Sequence, residues 1–554
     1  MSKTVAEVIL EVLADAGVKH MFGIPGDAIN GLTDALRRQD RIRFIQVRHE
    51  EVGALAASAQ GKLTGELAVC VGTAGPGAIH LLNGLYDAKL DGAPVLALTG
   101  QVPTSLLGSR YHQEIDLFTL FKDATVFNQS IVNADQMPGL LVRACQLALA
   151  TPGPVHLGIP SDMIDQKVRG TAPALVREFG QIHPCNDDLD DAAELLNRAN
   201  AVAILAGRGA RGAAEQLVSV AETLAAPIIK ALGGKDILPD DHPMTVGGLG
   251  LLGTKAAVAT IENCDALLMV GTDFPYADFY PEAVPSVQID VVPTRIGQRF
   301  PVDVALHGHA NLALSGLLDR IEPKTERGFL VERQADMAAW REALLQEGTS
   351  DATPIKPQRV ARSVSDHAAP DAVFVCDTGT VTAWTARHVQ IRQDQCFTLS
   401  GGLGTMGYGM AGAIGAQLAY PGRQVIAMVG DGGFTMLMPD LVTAVRYELP
   451  IDVVVFNNGR LGLIELEQTA AGFPVSETTL ADIDIVGFAR SCGAFGVKVE
   501  TADELEPALK EAFSSAKPSV IEVVVDPDEI IIPPKITAKQ AVNFVKAKTK
   551  ELFA

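Results

Sequence analysis

Two short polar segments of the sequence carry residue types suited to binding a metal ion and phosphate groups. Gly430-Asp431-Gly432-Gly433 directly follows a predicted strand at 424–429, and Asn457-Asn458 ends a second predicted strand at 451–456. A helix is predicted between them, at about 436–447. This strand–helix–strand order places Asp431 and Asn458 at the carboxyl ends of parallel strands, where such sheets bind ligands.

The chemistry that fits these two segments is the binding of a magnesium diphosphate. Glycines allow backbone N–H groups to approach a diphosphate closely, and the start of the following helix adds a favourable dipole. A carboxylate and an amide oxygen are the hard donors that Mg2+ prefers. Each segment alone is a common kind of turn. Their separation of 27 positions, with the predicted elements between them, favours a site.

A carboxylate and a glycine-rich loop are the next candidates. Glu50, in Arg48-His49-Glu50-Glu51, lies between a predicted strand at 44–47 and a predicted helix at 52–64. A Glu at a helix start is usually only a favourable partner of the helix dipole. Met406 lies between glycines in the loop 401–407, where a Met is ordinarily a packing residue.

Together these segments resemble the cofactor site of thiamine diphosphate-dependent enzymes, which carry GDG and, one strand–helix–strand unit later, NN. The resemblance implies that Asp431, Asn458 and the carbonyl of Arg460 bind Mg2+. It also implies that Glu50 hydrogen-bonds the aminopyrimidine ring and that Met406 is the apolar wedge that bends the cofactor. The implied contacts with thiamine diphosphate are Glu50, Gly404, Thr405, Met406, Asp431, Gly432, Gly433, Asn458, Leu461, Gly462, Leu463 and Ile464.

A closer resemblance, to bacterial pyruvate oxidases and quinone-reducing pyruvate dehydrogenases, covers nearly the whole chain. It rests on segments 46–54, 75–86, 271–276 and 288–297, and it implies FAD in a central domain. The turn 207–212 fits GxGxxG, but the next predicted strand ends near Lys230 without an acidic ribose ligand, which is unlike the usual NAD fingerprint. The implied FAD contacts are Gly207, Arg208, Gly209, Leu249, Gly250, Leu251, Leu252, Thr272, Asp273, Phe274, Pro275, Tyr276 and Asp290.

The predicted substrate pocket follows the oxidases only in part. Matches to their polar active-site residues, and so the implied catalytic positions, are His80, Gln113 and Glu467. Ala28 stands where the oxidases usually have Ser, and His112 and Leu463 stand where they have Phe. We therefore expect a wider and more polar pocket, with His112 and Leu463 also near the substrate.

The resemblance implies oxidative decarboxylation of pyruvate or a related 2-oxo acid, with electrons passing to FAD and then to quinone or oxygen. An alternative is a carboligase similar to acetolactate synthase, in which FAD is bound but not turned over. Those enzymes usually have Trp near position 467, whereas the segment 463–468 has none. A third possibility, an inactive paralogue, is opposed by the intact Glu50, Asp431 and Asn458.

Composition limits the partners and the compartment. The chain has 45 Lys and Arg against 66 Asp and Glu, a formal charge of −21, which disfavours nucleic acid and anionic membranes. Seven cysteines without a CxxC pattern fit a reducing cytoplasm. We expect no signal peptide and no membrane insertion, and a basic C-terminal helix at 536–553 too short in its apolar face to dock on lipid. The resemblance implies a homodimer or homotetramer.

The elements that position these residues alternate between strands and helices. Near-continuous apolar runs such as 67–72 and 95–98 are typical of parallel strands that are buried on both faces. With 554 residues the chain exceeds the size of one core. We predict an α/β protein of three doubly wound parallel-sheet domains: pyrimidine-binding (1–175), central FAD-binding (190–325) and diphosphate-binding (335–554), with a polar linker at 170–190.

Overall fold

Three parallel sheets form the framework of the computed structural model, which describes residues 2–176, 179–392 and 394–535. Within these ranges each sheet has six strands and all pairings between named strands are parallel. Helices connect successive strands and cover both faces of each sheet. The predicted fold class, an α/β protein of three doubly wound domains, is confirmed. The predicted helix at 536–553 lies outside the described residues.

The first domain has the strand order β2-β1-β3-β4-β6-β5. Its strands are β1 His20–Gly23, β2 Arg43–Gln46, β3 Ala68–Gly72, β4 Val95–Gln101, β5 Phe127–Ser130 and β6 Pro154–Pro160. Its helices are α1 Val5–Asp15, α2 Asn30–Arg37, α3 Glu50–Thr64, α4 Pro76–His80, α5 Leu82–Asp91, α6 Leu117–Phe121 and α7 Met137–Ala150.

The central domain has the order β12-β11-β10-β7-β8-β9, which is the order of dinucleotide-binding folds and reverses between β7 and β10. Its strands are β7 Val202–Ala206, β8 Ile228–Lys230, β9 Thr245–Gly248, β10 Ala266–Val270, β11 Ser286–Asp290 and β12 Val304–His307. Its helices are α8 Asn186–Arg198, α9 Ala214–Thr223, α10 Lys255–Asn263 and α11 Ala310–Leu318.

The third domain repeats the topology of the first, with the order β14-β13-β15-β16-β18-β17. Its strands are β13 Val373–Cys376, β14 Cys396–Leu399, β15 Val425–Gly430, β16 Ile451–Asn457, β17 Phe495–Val499 and β18 Ser519–Val524. The helix α12 Gly328–Gly348 precedes this domain and packs on the central domain as well as on α13. The helices of the third domain are α13 Pro357–His367, α14 Thr380–His388, α15 Tyr408–Ala419, α16 Asp431–Leu437, α17 Leu441–Arg446, α18 Gly462–Ala471, α19 Ile485–Ser491 and α20 Ala502–Phe513.

The first and third domains pack against each other through α3 and α15. A Cβ on Gly415 would lie only 2.1 Å from the carbonyl oxygen of Ala56, so the two helices touch backbone to backbone. Alanines and glycines along α3 make this approach possible, and one apolar core joins both domains. The helix α3, which begins at Glu50, is therefore packed tightly against α15, and this packing fixes the position of the Glu50 backbone.

Two predicted elements differ from the structure. The predicted linker at 170–190 ends early, because α8 begins at Asn186, where two aspartates in the first turn favour a helix start. The predicted single helix at 436–447 is wrong: α16 begins at Asp431, and a 3-10 turn at Met438–Asp440 separates it from α17. Pro439 lies in that turn and has no N–H to continue the α-helical hydrogen bonds.

Candidate cofactor site

Asp431 and Asn458 follow adjacent strands, as predicted, because β15 and β16 pair directly. The Asp431 carboxylate accepts a hydrogen bond from the N–H of Gly459 at 3.0 Å, so the two segments also touch. Burial raises the pKa of Asp431 to about 6, and backbone N–H groups oppose that shift only in part. A buried carboxylate of this kind gains from a bound cation, which fits an Mg2+ ligand.

Arg460 lies two residues after Asn458, and its N–H donates to the Asn458 side-chain oxygen at 3.2 Å. Its guanidinium points to Asp528 at 3.1 Å, while Gly459 and Leu461 tie the loop to residues 478–480 through backbone hydrogen bonds. Among the hydrogen bonds of the described residues, none uses the Arg460 carbonyl oxygen. The oxygen is thus available as a third metal ligand, and the donor set of carboxylate, amide and carbonyl suits Mg2+.

Met406 lies against the glycine turn at 430–433. A Cβ on Gly432 would approach the Met406 methyl at 3.3 Å and the Leu461 side chain at 3.2 Å. A residue with a Cβ at this position would contact these side chains tightly, and they would have to shift by a few tenths of an ångström. Gly404 and Gly407, on either side of Met406, have positive φ angles of 68° and 85°, which only glycine adopts readily.

Asp377, at the end of β13, is a residue of this site that the sequence analysis missed. Its buried carboxylate accepts N–H groups from Thr378 at 2.8 Å and Gly407 at 3.2 Å, and a Cβ on Gly433 would lie 2.4 Å from it. Burial raises the pKa of Asp377 to about 7. The carboxylate caps α15 and holds the Met406 loop against the Gly433 turn. Its sequence signal was an acidic residue directly after a buried strand.

Glu50 is the first residue of α3 and its side chain is 8% exposed. Its Oε2 lies 2.9 Å from Nδ1 of His80, which ends α4. His49 caps α3 and stacks on His80 with 4.3 Å between ring centroids. Two residues predicted from the sequence, Glu50 and His80, are thus brought together.

Glu51 points instead to the third domain. Asn83 on α5 donates to the Glu51 carboxylate at 2.6 Å and to the Thr405 hydroxyl at 3.0 Å. Through Asn83, the helix that carries Glu50 is connected to the loop that carries Met406. The two glutamates therefore differ in their contacts: Glu51 supports the domain contact, and the one side-chain hydrogen bond of Glu50 among the described residues is with His80.

Gln113 and His112 lie in a tightly held surface loop. Glu114 accepts N–H groups of Gly108 and Tyr111, and Arg110 and Gln113 have positive φ angles of 60° and 64°. Such conformations are uncommon for residues other than glycine and tend to occur at functional sites. Gln113 packs against Gly75, just before the helix of His80, whereas His112 is exposed.

A cavity of about 1090 Å³ lies between the three domains. It begins at the carboxyl ends of β7 and β10, where the strand order reverses, and the N–H of Gly209 bonds the carbonyl of Gly271 there at 2.9 Å. The predicted FAD residues that line it are Gly207, Arg208, Gly209, Leu249, Leu251, Leu252, Thr272, Asp273, Phe274, Pro275, Tyr276 and Asp290. Gly250 is the predicted contact outside that lining.

The cavity also reaches α18, where Leu463 and Glu467 line it. Its wall holds eight cationic and five acidic side chains, although the chain as a whole carries a charge of −21. The cations are Lys62, Arg208, Arg211, Lys230, Lys235, Arg295, Arg299 and Arg387. Five of these cations form ion pairs with carboxylates, whereas Arg208, Arg295 and Arg387 form none among the described residues, and these three arginines favour an anionic ligand.

The remaining predicted residues lie apart from this cavity. The lining of the cavity does not include Glu50, His80, Gln113, Asp431 or Asn458. Ile464, on α18, is also outside the lining and is 43% exposed. Ala28 is buried and packs closely against Gly100: a Cβ added to Gly100 would lie 2.7 Å from the Cβ of Ala28. Within the described part of one chain, no hydrogen bond joins Glu50 to Asp431 or Asn458.

Family models match all three domains. The N-terminal and C-terminal thiamine pyrophosphate-binding domains of thiamine pyrophosphate enzymes match residues 3–120 and 377–523, and the central domain of these enzymes matches residues 189–317. The chain belongs to the thiamine pyrophosphate enzyme family. Thiamine diphosphate-binding domains are therefore present at both ends of this family member.

Curated relatives of this family member span its full length. It is 44% identical to the putative thiamine pyrophosphate-containing protein YdaP of Bacillus subtilis, over 100% of this chain and 96% of the relative. It is 35% identical to a probable acetolactate synthase large subunit of Methanocaldococcus jannaschii, over 96% and 93%. It is 33% identical to a pyruvate oxidase of Lactiplantibacillus plantarum, over 97% and 90%. The relatives thus include proteins named as acetolactate synthases and a protein named as a pyruvate oxidase.

Proposed function

We propose that this enzyme carries out thiamine diphosphate- and FAD-dependent oxidative decarboxylation of pyruvate or a related 2-oxo acid. The observation that carries the proposal is the cavity between the domains. It runs from the glycine turns of a dinucleotide-type sheet to Leu463 and Glu467 on α18, next to the predicted thiamine site.

The cavity fits FAD in size, position and charge. Its volume of about 1090 Å³ is at the upper end for small-molecule sites and suits a dinucleotide. Gly207 and Gly209 both line the cavity, and neither could carry a Cβ without meeting Gly271 or Thr272 at 3 Å or less, so the turn packs closely against the end of β10. Asp290 lies at the end of β11 and lines the cavity, and its carboxylate accepts the N–H of Val292 at 2.8 Å, so a second oxygen can accept a ribose hydroxyl.

The bound cofactors supply the electron sink for decarboxylation and the acceptor for the released electrons. The residues of the chain position them and manage protons. In this proposal Asp431, Asn458 and the Arg460 carbonyl would hold Mg2+, and Met406 would lie beside the thiamine rings. Glu50 would share a proton with the aminopyrimidine ring through its buried carboxylate.

The substrate pocket is expected near Leu463 and Glu467. Leu463 is smaller than the aromatic ring of the oxidases, so the pocket has room for a 2-oxo acid larger than pyruvate. Glu467 places one acidic group at the same wall. His112 and Gln113 lie elsewhere on the chain, so we propose that they reach this pocket from a second subunit of a homodimer or homotetramer. The proposed electron acceptor after FAD is quinone or oxygen, in the cytoplasm.

A carboligase similar to acetolactate synthase is the second candidate. It is favoured by the relatives that bear that name and by the small Leu463, which leaves space for a second carbonyl compound. It is disfavoured because the wall formed by α18 offers Glu467 and no Trp. The two candidates differ in whether electrons leave the substrate.

The purified enzyme should be yellow and should release FAD on denaturation. Arg208→Gln should weaken FAD binding about 10- to 100-fold, because it removes a charge-assisted contact from the cavity wall. The affinity for thiamine diphosphate should stay unchanged, since Asp431 and Asn458 lie in the third domain and Arg208 lies in the central domain. Flavin content after dialysis and isothermal titration with thiamine diphosphate measure both effects.

Arg198→Gln is the matched control, because Arg198 is exposed on α8 in the same domain and, among the described residues, its ion pair is with Glu194. Equal flavin loss in both variants would reject the cavity as the flavin site. A folded, colourless wild type that cannot be reconstituted with FAD would reject the flavin half of the proposal.

Among the described residues, no helix combines the length and the apolar character needed to cross a membrane.

A further inference from the structure

The Glu50 carboxylate has one polar side-chain neighbour, His80, among the described residues. Glu50 is 8% exposed, whereas His80 is 40% exposed. Within one protomer, the imidazole of His80 therefore lies between the buried carboxylate and the surface of the first domain. The other wall around Glu50 is backbone, formed by Gly77 of the same helix α4.

The imidazole of His80 is held in a defined orientation. His49 stacks on it with ring centroids 4.3 Å apart and an angle of 27° between the planes. The His49 ring is itself fixed, because its Nδ1 accepts the N–H of Glu51 as the cap of α3. The other charged groups nearby are Glu51, whose carboxylate is 3.8 Å from His49, and Asp440, which accepts the N–H of Arg48 at 2.8 Å.

An ionised carboxylate only accepts hydrogen bonds, so the proton in the contact with Glu50 belongs to Nδ1 of His80. The Nε2 atom then carries the lone pair, and it forms no hydrogen bond within the described residues. Nε2 is thus a base on the outer side of a ring whose inner side donates to Glu50. This is the arrangement of a proton shuttle.

We propose that His80 is a positioning residue that relays protons between Glu50 and the outside of the domain. The inference rests on the proposed role of Glu50. In the inward step, Nε2 takes a proton from water while the Nδ1 proton moves to Oε2 of Glu50. One proton has then entered, hydroxide or buffer base remains outside, and His80 is neutral with its proton on Nε2. The outward step is the reverse.

The relay explains how a desolvated carboxylate can change its protonation state quickly. Burial slows proton exchange with water, because the carboxylate has little direct solvent contact. A half-exposed imidazole with one nitrogen on each side removes that obstacle without exposing Glu50. The stacked His49 keeps the ring from rotating away from the carboxylate.

The cofactor-free protein gives the first test. Nitrogen NMR of 15N-histidine-labelled protein should assign neutral His80 to the tautomer with the proton on Nδ1, and Glu50→Ala should abolish that preference. A wild-type His80 protonated on Nε2 alone would overturn the relay, because Nδ1 would then have no proton to pass to Glu50.

The loaded enzyme gives the second test, by exchange of the thiazolium C2 proton of bound thiamine diphosphate in D2O. His80→Ala should slow exchange about 100-fold, and added imidazole should restore most of that loss by occupying the vacated space. His80→Gln keeps a hydrogen-bond donor to Glu50 but cannot relay. It should be equally slow, without rescue, while thiamine diphosphate affinity stays within about threefold of wild type.

His367→Gln, on the distant α13, is the control and should exchange at the wild-type rate. Wild-type exchange in His80→Gln would show that His80 only holds Glu50, and slow exchange in His80→Ala without imidazole rescue would equally overturn the relay. These outcomes are separable from a failure of the Glu50 assignment, because in that case Glu50→Gln itself would exchange at the wild-type rate.

Discussion

Asp431→Asn should leave the enzyme folded but unable to retain thiamine diphosphate in the presence of Mg2+. The amide can still accept the N–H of Gly459, so the turn is preserved, but the charge that opposes the metal is lost. Outer-sphere changes at metal sites already cost about 10- to 100-fold in affinity, so removal of a ligand charge should cost at least about 100-fold. Equilibrium dialysis with and without Mg2+ measures the loss.

Asp503→Asn provides the matched control, because Asp503 is an exposed aspartate in the first turn of α20. Its cofactor retention should equal that of wild type. An unchanged affinity for thiamine diphosphate in Asp431→Asn would mean that the turn at 430–433 is only structural. The proposed Mg2+ site at Asp431, Asn458 and Arg460 would then be rejected.

We also expect the Mg2+ affinity to depend on pH through Asp431. Burial raises the pKa of Asp431 to about 6, so the cofactor-free enzyme holds a proton there at pH 5 and has lost it at pH 7.5. The raised pKa means that the protonated form is favoured in the folded state, and Mg2+ must displace that proton. Apparent Mg2+ affinity should therefore fall as pH decreases below about 6 and level off above it.

Glu50→Gln should bind thiamine diphosphate but slow C2-proton exchange about 100- to 10,000-fold, the range of general acid–base effects. The amide has nearly the same shape as the carboxylate but cannot share a proton with the aminopyrimidine. Exchange followed by NMR in D2O, together with the dissociation constant of the cofactor, separates this effect from a loss of binding.

Glu51→Gln is the adjacent control. Its amide oxygen can still accept from Asn83, so the link to Thr405 persists and exchange should stay close to wild type. The opposite pattern, with slow exchange in Glu51→Gln and normal exchange in Glu50→Gln, would transfer the role to the second glutamate.

The sequence was sufficient for the three-sheet fold because buried parallel strands are continuous apolar runs and the turns after them are rich in glycine. It also placed Asp431 and Asn458 correctly, since both follow strands that are close in sequence and pair directly. Glu50 and His80 were predicted separately, and their contact is a finding of the structure. Apolar strands and the glycine-rich turns after them are local patterns, and such patterns can be predicted from the sequence alone.

Contacts between distant segments could not be read in this way. Asp91 accepts the N–H groups of Gly401 and Gly402 at 3.0 and 2.8 Å and pairs with the buried Lys62, which closes the cavity from the first domain. Nothing in the sequence around Asp91 indicates that partner some 310 positions away. Asp377 and Gly407 form a similar contact between loops, and each depends on how domains or strands pack.

Anaerobic mixing of the enzyme with pyruvate, with bound FAD and thiamine diphosphate confirmed beforehand, tests the central claim most directly. The proposal predicts that the absorbance of oxidised flavin disappears and that one CO2 is released for each flavin reduced. A larger 2-oxo acid should give the same stoichiometry if the wide pocket at Leu463 selects it. Release of CO2 together with acetoin or acetolactate, while the flavin stays oxidised, would contradict the proposal and identify the enzyme as a carboligase.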